Sequence, residues 1–226
     1  MTELEKLEKR WIELLGPKSK DEIEEQVILA EKISIEYAKE YSGFIEKSRE
    51  RGIIIDNIWD LVNTREKYPQ IIDLLIEFAS KDLRPRNKEG FIRALSVKEA
   101  KGIANAMLKA MYDKTPKEND NLRWVIGNAI SVVMVSEDID WILDKIKDES
   151  NKISRTHLVR GLAKVKSEKV EETLIGLLND SEVAAYVVEA LGKLKCIKAK
   201  EKIRTLENSS DKNIKDQVKK ALKRLS

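Results

Sequence analysis

A chain of 226 residues, 37% charged and only 5% aromatic, has room for one or two domains and the composition of amphipathic helices. Nine glycines and four prolines are too few for a loop-rich β protein, and a formal charge of +3 speaks neither for nor against a nucleic-acid partner. A single cysteine (Cys196) excludes an intrachain disulfide or thiolate cluster, and a single histidine (His157) excludes multi-histidine metal sites, so neither metal nor cofactor is expected.

In chain order, Glu3 to Leu15 reads as a helix with Leu4, Leu7, Trp11 and Leu14/Leu15 on one face, closed by Gly16-Pro17. Ser19-Lys20-Asp21-Glu22 is a capping signal for a helix from Asp21 to Tyr41, whose apolar side is expected to be Ile23, Val27, Ala30, Ile33 and Tyr37. Ser42-Gly43 should break it, and a short helix should follow from Phe44. Asp56 is a candidate cap for a helix through Trp59 and Asn63, and Tyr68-Pro69 places proline at the first turn of a helix over 70–79. A loop over 82–87 and a short helix over 88–95 come next. Ser96-Val97-Lys98-Glu99 matches a capping box, and predicts a helix carrying Ala100, Ile103, Ala104, Met107 and Met111 inward. After a polar loop, helices are predicted over 122–135, 139–147, 154–165, 169–178, 182–194, 198–206 and 213–225.

Those last helices repeat. Leu158-Val159-Arg160-Gly161-Leu162-Ala163-Lys164-Val165 aligns with Val187 to Leu194 at an offset of 29 residues, and with Val218 to Leu225 at a further 31. A weaker copy lies 32 residues upstream, with Ala129-Ile130 in place of Gly161-Leu162. Each copy sets a small residue before a large aliphatic. A second apolar pattern (Ile139/Ile142/Ile146, Val170/Leu174/Leu177, Ala199/Ile203/Leu206) lies between copies. Two helices per period near 30 predict an all-α fold, a right-handed α-solenoid of helix pairs, with residues 1–55 as an N-terminal helical cap and 56–226 as one continuous repeat array.

Three stretches stand out for function. In Arg123-Trp124-Val125-Ile126-Gly127-Asn128, Trp124 and Asn128 are four apart and share a helix face, beside a glycine that admits a close neighbour. They form either a recognition surface or a groove filler with a bonded amide. In the stretch from Ser154, Arg155 sits in a helix first turn, where the dipole disfavours it unless a carboxylate answers; Asp148 or Glu149 is the expected partner, in a structural clasp between repeats ahead of ligand contact. Around Lys88 to Gly102, Arg93, Lys98 and Glu99 gather at a helix–helix corner, where they either bridge adjacent repeats or rim a recognition surface. Such an array leaves a concave surface lined by every second helix, and the residues expected to bind a partner there and on the adjoining ridge are Trp59, Asn63, Arg93, Lys98, Trp124, Asn128 and Arg155. No catalytic pair of carboxylates, phosphate-cradling glycine loop or HExxH pattern is found, so no catalytic residue is assigned.

Charge is unevenly placed: Lys193 to Ser226 holds twelve Lys/Arg against four Asp/Glu. This is either a hydrated capping pair of helices or a dock for an anionic partner. No apolar run approaches ~18 residues and the acidic Met1-Thr2-Glu3-Leu4-Glu5 is no secretory signal, so no membrane and a cytoplasmic location are expected.

The string Ala190-Leu191-Gly192-Lys193-Leu194 resembles the short HEAT-type (armadillo-like) repeat also found in phycobiliprotein-lyase-like proteins. The likeness covers 154–225 and extends more loosely to Asp56. Trp59 to Asn63, Arg93 to Ala100 and Arg123 to Ala129 resemble strings in a group of bacterial HEAT-repeat proteins, some of them similar to toxin-immunity proteins. The resemblance implies a protein-binding module, with a toxin domain as one candidate partner and a nucleic-acid scaffold as the alternative. HEAT-like folds also include alkylpurine DNA glycosylases; Trp124 and Arg160 can be laid on that pattern, but Asn128 stands where its catalytic aspartate would be expected, leaving no carboxylate to stabilise the developing positive charge.

Overall fold

The computed structural model describes residues 1–16, 18–62 and 64–225. All regular structure among them is helical, and none of the helices is long and apolar enough to cross a membrane. The chain divides into two compact units, Met1–Ala94 and Leu95–Ser226. That division follows packing, whereas the boundary read near Ile55 follows periodicity.

The first unit opens with α1 (Glu3–Glu13) and α2 (Lys20–Ala38), which pack on each other as a hairpin. The capping signal at Ser19 is made as the sequence implies: Ser19 Oγ accepts from the Glu22 amide at 3.3 Å and Glu22 Oε2 accepts from the Ser19 amide at 2.8 Å. The predicted inward face of α2 holds at Ile33 and in part at Tyr37, but not at Ile23, Val27 or Ala30. Leu29 and Ile33 are buried, whereas Ile23 and Val27 are 51% and 63% exposed. The chain then turns through a short 3₁₀ segment at Lys39–Tyr41 directly into α3 (Ser42–Glu50), so Ser42-Gly43 starts a helix rather than breaking one.

Beyond α3, the helix expected from Asp56 is a 3₁₀ turn, Ile58–Leu61, and its cap is Asn57, whose side chain accepts from the Trp59 amide at 2.8 Å. Pro69 opens another 3₁₀ turn that runs into α4 (Ile72–Ala79). α5 (Pro85–Ala94) begins at a proline inside the predicted loop, because proline is well suited to a helix's first position. The core is an aromatic cluster: Phe44 and Phe91 have no exposed surface and meet edge-on at 4.9 Å, with Tyr41 and Phe78 around them. Each such pair adds roughly 0.5–1.5 kcal/mol beyond area burial. Tyr41 and Tyr68 bring their hydroxyls in with partners, Tyr41 Oη accepting from the Ile58 amide at 3.1 Å and Tyr68 Oη donating to the Ala94 carbonyl at 2.8 Å.

In the second unit the capping box at Ser96 does not start a long helix. A single 3₁₀ turn forms at Lys98–Ala100, Gly102 adopts φ +73°, which side-chain-bearing residues rarely take, and α6 begins only at Asn105 and runs to Lys114. Ile103 is consequently 59% exposed while Ala100, Ala104, Leu108 and Tyr112 form the inward side. There follow α7 (Asp120–Val133), α8 (Ile139–Lys147), a 3₁₀ segment (Glu149–Ser154), α9 (Arg155–Leu162), α10 (Glu168–Gly176), α11 (Ala184–Leu194), α12 (Lys200–Arg204) and α13 (Lys212–Arg224).

Their packing alternates. α7 contacts α9, α9 contacts α11 and α11 contacts α13, while α8 contacts α10. The small residue of the repeat explains the closeness of that row. Ala129, Gly161, Ala190 and Ala221 are all buried, and a Cβ at Gly192 would lie 2.8 Å from Ala221 Cβ and 2.9 Å from its Cα. The aliphatics that follow (Ile130, Leu162, Leu191) are fully buried.

Candidate protein-interaction surface

The sequence-predicted binding residues fall in both units. In the first, Trp59 is half-buried, with its Nε1 enclosed and lacking a hydrogen-bond partner, and the Arg86 guanidinium lies 5.8 Å from its ring. Arg93, on α5, donates from Nε to Glu89 Oε1 at 2.7 Å one turn away, a same-helix pair that leaves both side chains about a quarter exposed. Asn63 lies outside the described residues. Within 95–226, Lys98, Trp124, Asn128 and Arg155 take four different situations.

Arg155 is 1% exposed. Its Nε donates to the Lys152 carbonyl at 3.1 Å, Nη1 to the Ile146 carbonyl at 3.2 Å, and Nη2 to Asp180 Oδ1 at 3.2 Å, with Nη1 also on Asp180 Oδ2. The guanidinium is thus fully committed inside the unit. Its carboxylate partner is Asp180, between α10 and α11, and not Asp148 or Glu149. Asp148 instead caps the 3₁₀ segment and pairs with Lys117, which together with the Ser150 hydroxyl holds its carboxyl down at about 2. Ser154, expected as an N-cap, is buried and shares a 2.8 Å hydrogen bond with Tyr112 Oη.

α7 carries the pair that the sequence singles out. Gly127 faces the Ser154 carbonyl, which would stand 3.0 Å from a Cβ, so the close approach expected there is real. Trp124 is half-buried, its ring edge-on to His157 with centroids 4.3 Å apart, and so fills space between α7 and α9 while keeping one side open. Asn128 is half-buried; its carbonyl accepts from Ser131 Oγ at 2.7 Å, and no hydrogen bond is made by its side-chain amide among the described residues.

Asn128 occupies the repeat position immediately before the small residue, and its equivalents are Arg160, Glu189 and Lys220. Arg160 and Glu189 meet across α9 and α11: Arg160 Nε donates to Glu189 Oε2 at 3.2 Å, its guanidinium lies 4.8 Å from the Tyr186 ring, and Lys193 Nζ donates to Glu189 Oε1 at 2.7 Å. Burial would raise the Glu189 carboxyl's pKa, but Lys193 and Arg160 outweigh it and hold the group ionised below its ordinary range. The next register position holds Lys164, whose ammonium donates to the Ser131 carbonyl at 2.9 Å in the last turn of α7. Burial lowers its pKa, and the neighbouring charges of Lys101 and Lys98 lower it further, which brings Lys98 to the same end of α7.

The outer edge of the α7–α9–α11 row is thus a mosaic of an indole, an open amide, a guanidinium on a phenol, a carboxylate and a lysine group. Arg160, Tyr186 and Glu189 were not singled out as binding residues, although the register alone finds Arg160 and Glu189, which are one repeat apart. Arg123 is a second buried arginine, donating from Nη1 to the Tyr112 and Thr115 carbonyls at 2.9 and 2.8 Å; it fastens the loop before α7 and is not part of this edge. No cluster of three His, Cys, Asp or Glu side chains suited to a metal ion occurs among the described residues. No protein-family model, curated protein or solved structure matches the chain.

Proposed function

We propose that the chain is a non-catalytic protein-binding scaffold, whose Leu95–Ser226 unit is a right-handed α-solenoid of HEAT-like helix pairs presenting the outer edge of α7, α9 and α11 to a folded protein. The solenoid reading is supported by the alternate packing of α7, α9, α11 and α13, with α8 on α10 beside them. The observation that carries the binding reading is chemical. Positions that repeat (Ala129, Gly161, Ala190, Ala221) are buried packing contacts, while the adjoining register positions differ from repeat to repeat as Asn128, Arg160, Glu189 and Lys220. A protein surface is matched by such mixed donors, acceptors, charges and aromatic faces; a uniform run of one sign would suit a phosphate backbone instead.

The resemblance of the repeat strings points further, to an immunity protein that holds a toxin domain. A specific observation favours nucleic acid as the second reading: twelve Lys/Arg against four Asp/Glu from Lys193 onward, with Lys215, Lys219, Lys220 and Lys223 exposed on α13. The test is capture from nuclease-treated lysate by the wild type and by Asn128→Ala/Arg160→Ala. A stoichiometric protein that survives nuclease and is lost from the variant supports the reading. Retention only of nuclease-sensitive, salt-sensitive material overturns it in favour of nucleic acid.

A further inference from the structure

Much of the charge in 95–226 is answered in pairs: Lys109 by Asp138, Lys145 by Asp113, Arg160 by Glu189 and Lys169 by Asp140. Lys98, Lys101 and Lys164 are different. All three are exposed, and no carboxylate among the described residues lies within ion-pair distance of any of them.

The backbone brings these three together. The turn that carries Lys98 and Lys101 is pinned to the end of α7, where the Gly102 amide donates to the Val133 carbonyl at 3.0 Å. Lys164 reaches the same end from α9, its ammonium on the Ser131 carbonyl at 2.9 Å. Burial, and then the like charges of Lys101 and Lys98, hold the Lys164 ammonium's pKa below its ordinary value. The carbonyls that end a helix welcome cations, but here they are few. Val133 is taken by Gly102 and Ile130 by the Met134 amide, and the Lys98 and Lys101 side chains make no hydrogen bond among the described residues. Three like charges therefore stand together with one carbonyl between them, an arrangement that an anion from outside would stabilise.

The surroundings say which anion. The positive run is short: Glu137 stands exposed in the turn after α7, and Glu189 lies one repeat along the same edge. A phosphate backbone is continuous in charge and would have to pass these carboxylates, whereas a protein segment places its charges singly. Ile103, just past Gly102, is 59% exposed and sets an apolar contact beside the cations.

We infer that Lys98, Lys101 and Lys164 dock paired Asp/Glu side chains of a short segment of the protein partner, with an aliphatic residue of that segment on Ile103. This rests on the scaffold reading and adds what the partner must present. Charge pairs at the rim of an interface set register and encounter rate more than affinity, so the effect is modest and weakens with salt.

Fluorescence anisotropy on the full chain at low salt tests it, the probe being a fluorescein-labelled peptide with two Glu-Asp pairs flanking a leucine. Lys98→Gln/Lys101→Gln, with unchanged far-UV circular dichroism, should weaken binding about five- to tenfold, and adding Lys164→Gln should weaken it further. Lys219→Gln/Lys220→Gln, the same loss of charge on α13, should change it by less than about twofold. A single-stranded DNA pentamer of equal charge should bind no more tightly than the peptide. Absence of peptide binding overturns the inference, as does an equal loss in both double variants, which would report the charge of the whole unit. Tighter binding of the pentamer through the same lysines overturns it in favour of nucleic acid. The capture experiment separates this from the scaffold reading. A protein held equally by the wild type and by Lys98→Gln/Lys101→Gln would sink the acidic contact and leave the scaffold standing, whereas a wild type that captures no protein sinks the scaffold itself.

Discussion

Replacing Asp180 by alanine would leave the Arg155 guanidinium, 1% exposed, with two carbonyl acceptors and no counter-charge. Removing one partner of a buried ion pair costs about 3–5 kcal/mol, because the stranded charge cannot regain its water. The pair is well enclosed, Arg155 and Asp180 side chains being 1% and 13% exposed, so little solvent screening reduces that figure. Asp180 also accepts from the Glu182 amide at 3.1 Å, so the turn into α11 loses a second bond. Equilibrium urea unfolding is the assay, with Trp11→Phe/Trp59→Phe as the background so that fluorescence reports only Trp124 and Trp141 in 95–226. With a slope of roughly 2–3 kcal/mol per M, the midpoint should fall by about 1–2 M. Asp140→Ala, removing the exposed Lys169–Asp140 pair (60% and 78% exposed), should cost no more than about 0.5 kcal/mol. The double change Arg155→Met/Asp180→Leu should recover most of the loss, since an apolar replacement of a buried pair is often neutral or better. A loss below about 1 kcal/mol for Asp180→Ala would refute the assignment of Arg155 as a buried, committed charge.

Gly192→Val should destabilise 95–226 by about 1–3 kcal/mol by forcing α11 from α13, where Ala221 Cβ lies only 2.8 Å from an ideal Cβ; unaltered thermal unfolding would contradict this. Asp138 is buried, which by itself would raise its carboxyl pKa, but Lys109, the Val135 amide and Asn105 together hold it below the ordinary value. Its stabilising contribution is therefore complete above the unfolded carboxyl's value of ~3.9 and is lost as pH falls through the folded one. The stability gap between wild type and Asp138→Asn should shrink in acid, and a gap constant from neutral pH down to about 2 would sink the assignment.

The helical class and most second-unit helices were legible because small-then-aliphatic strings recur near every 30 residues. α8, for instance, spans Ile139–Lys147 as read. α2 was legible in place and cap but only in part in orientation. Its aliphatics fall on two faces, and a helix apolar on both sides gives periodicity no means to choose. The helix expected from Ser96 failed for a local reason, since the Gly102 backbone at φ +73° ends the turn that Ser96 and Glu99 announce. Arg155 was legible as a charge needing a carboxylate, but the partner came from 25 residues downstream across a helix pair, a separation no local pattern encodes. Around Trp124 and Asn128, sequence spacing placed the two residues on one edge of α7, each half-buried. The neighbours that complete it, Arg160 and Tyr186, come from other repeats and needed the register.

Amide hydrogen exchange on the captured complex, against the free chain, is the most direct test of the scaffold reading. Protection confined to α7, α9 and α11, and abolished with binding by Asn128→Ala/Arg160→Ala, is the predicted result. Protection falling instead on α1 and α2, with that edge unchanged, would contradict it and assign partner recognition to the hairpin.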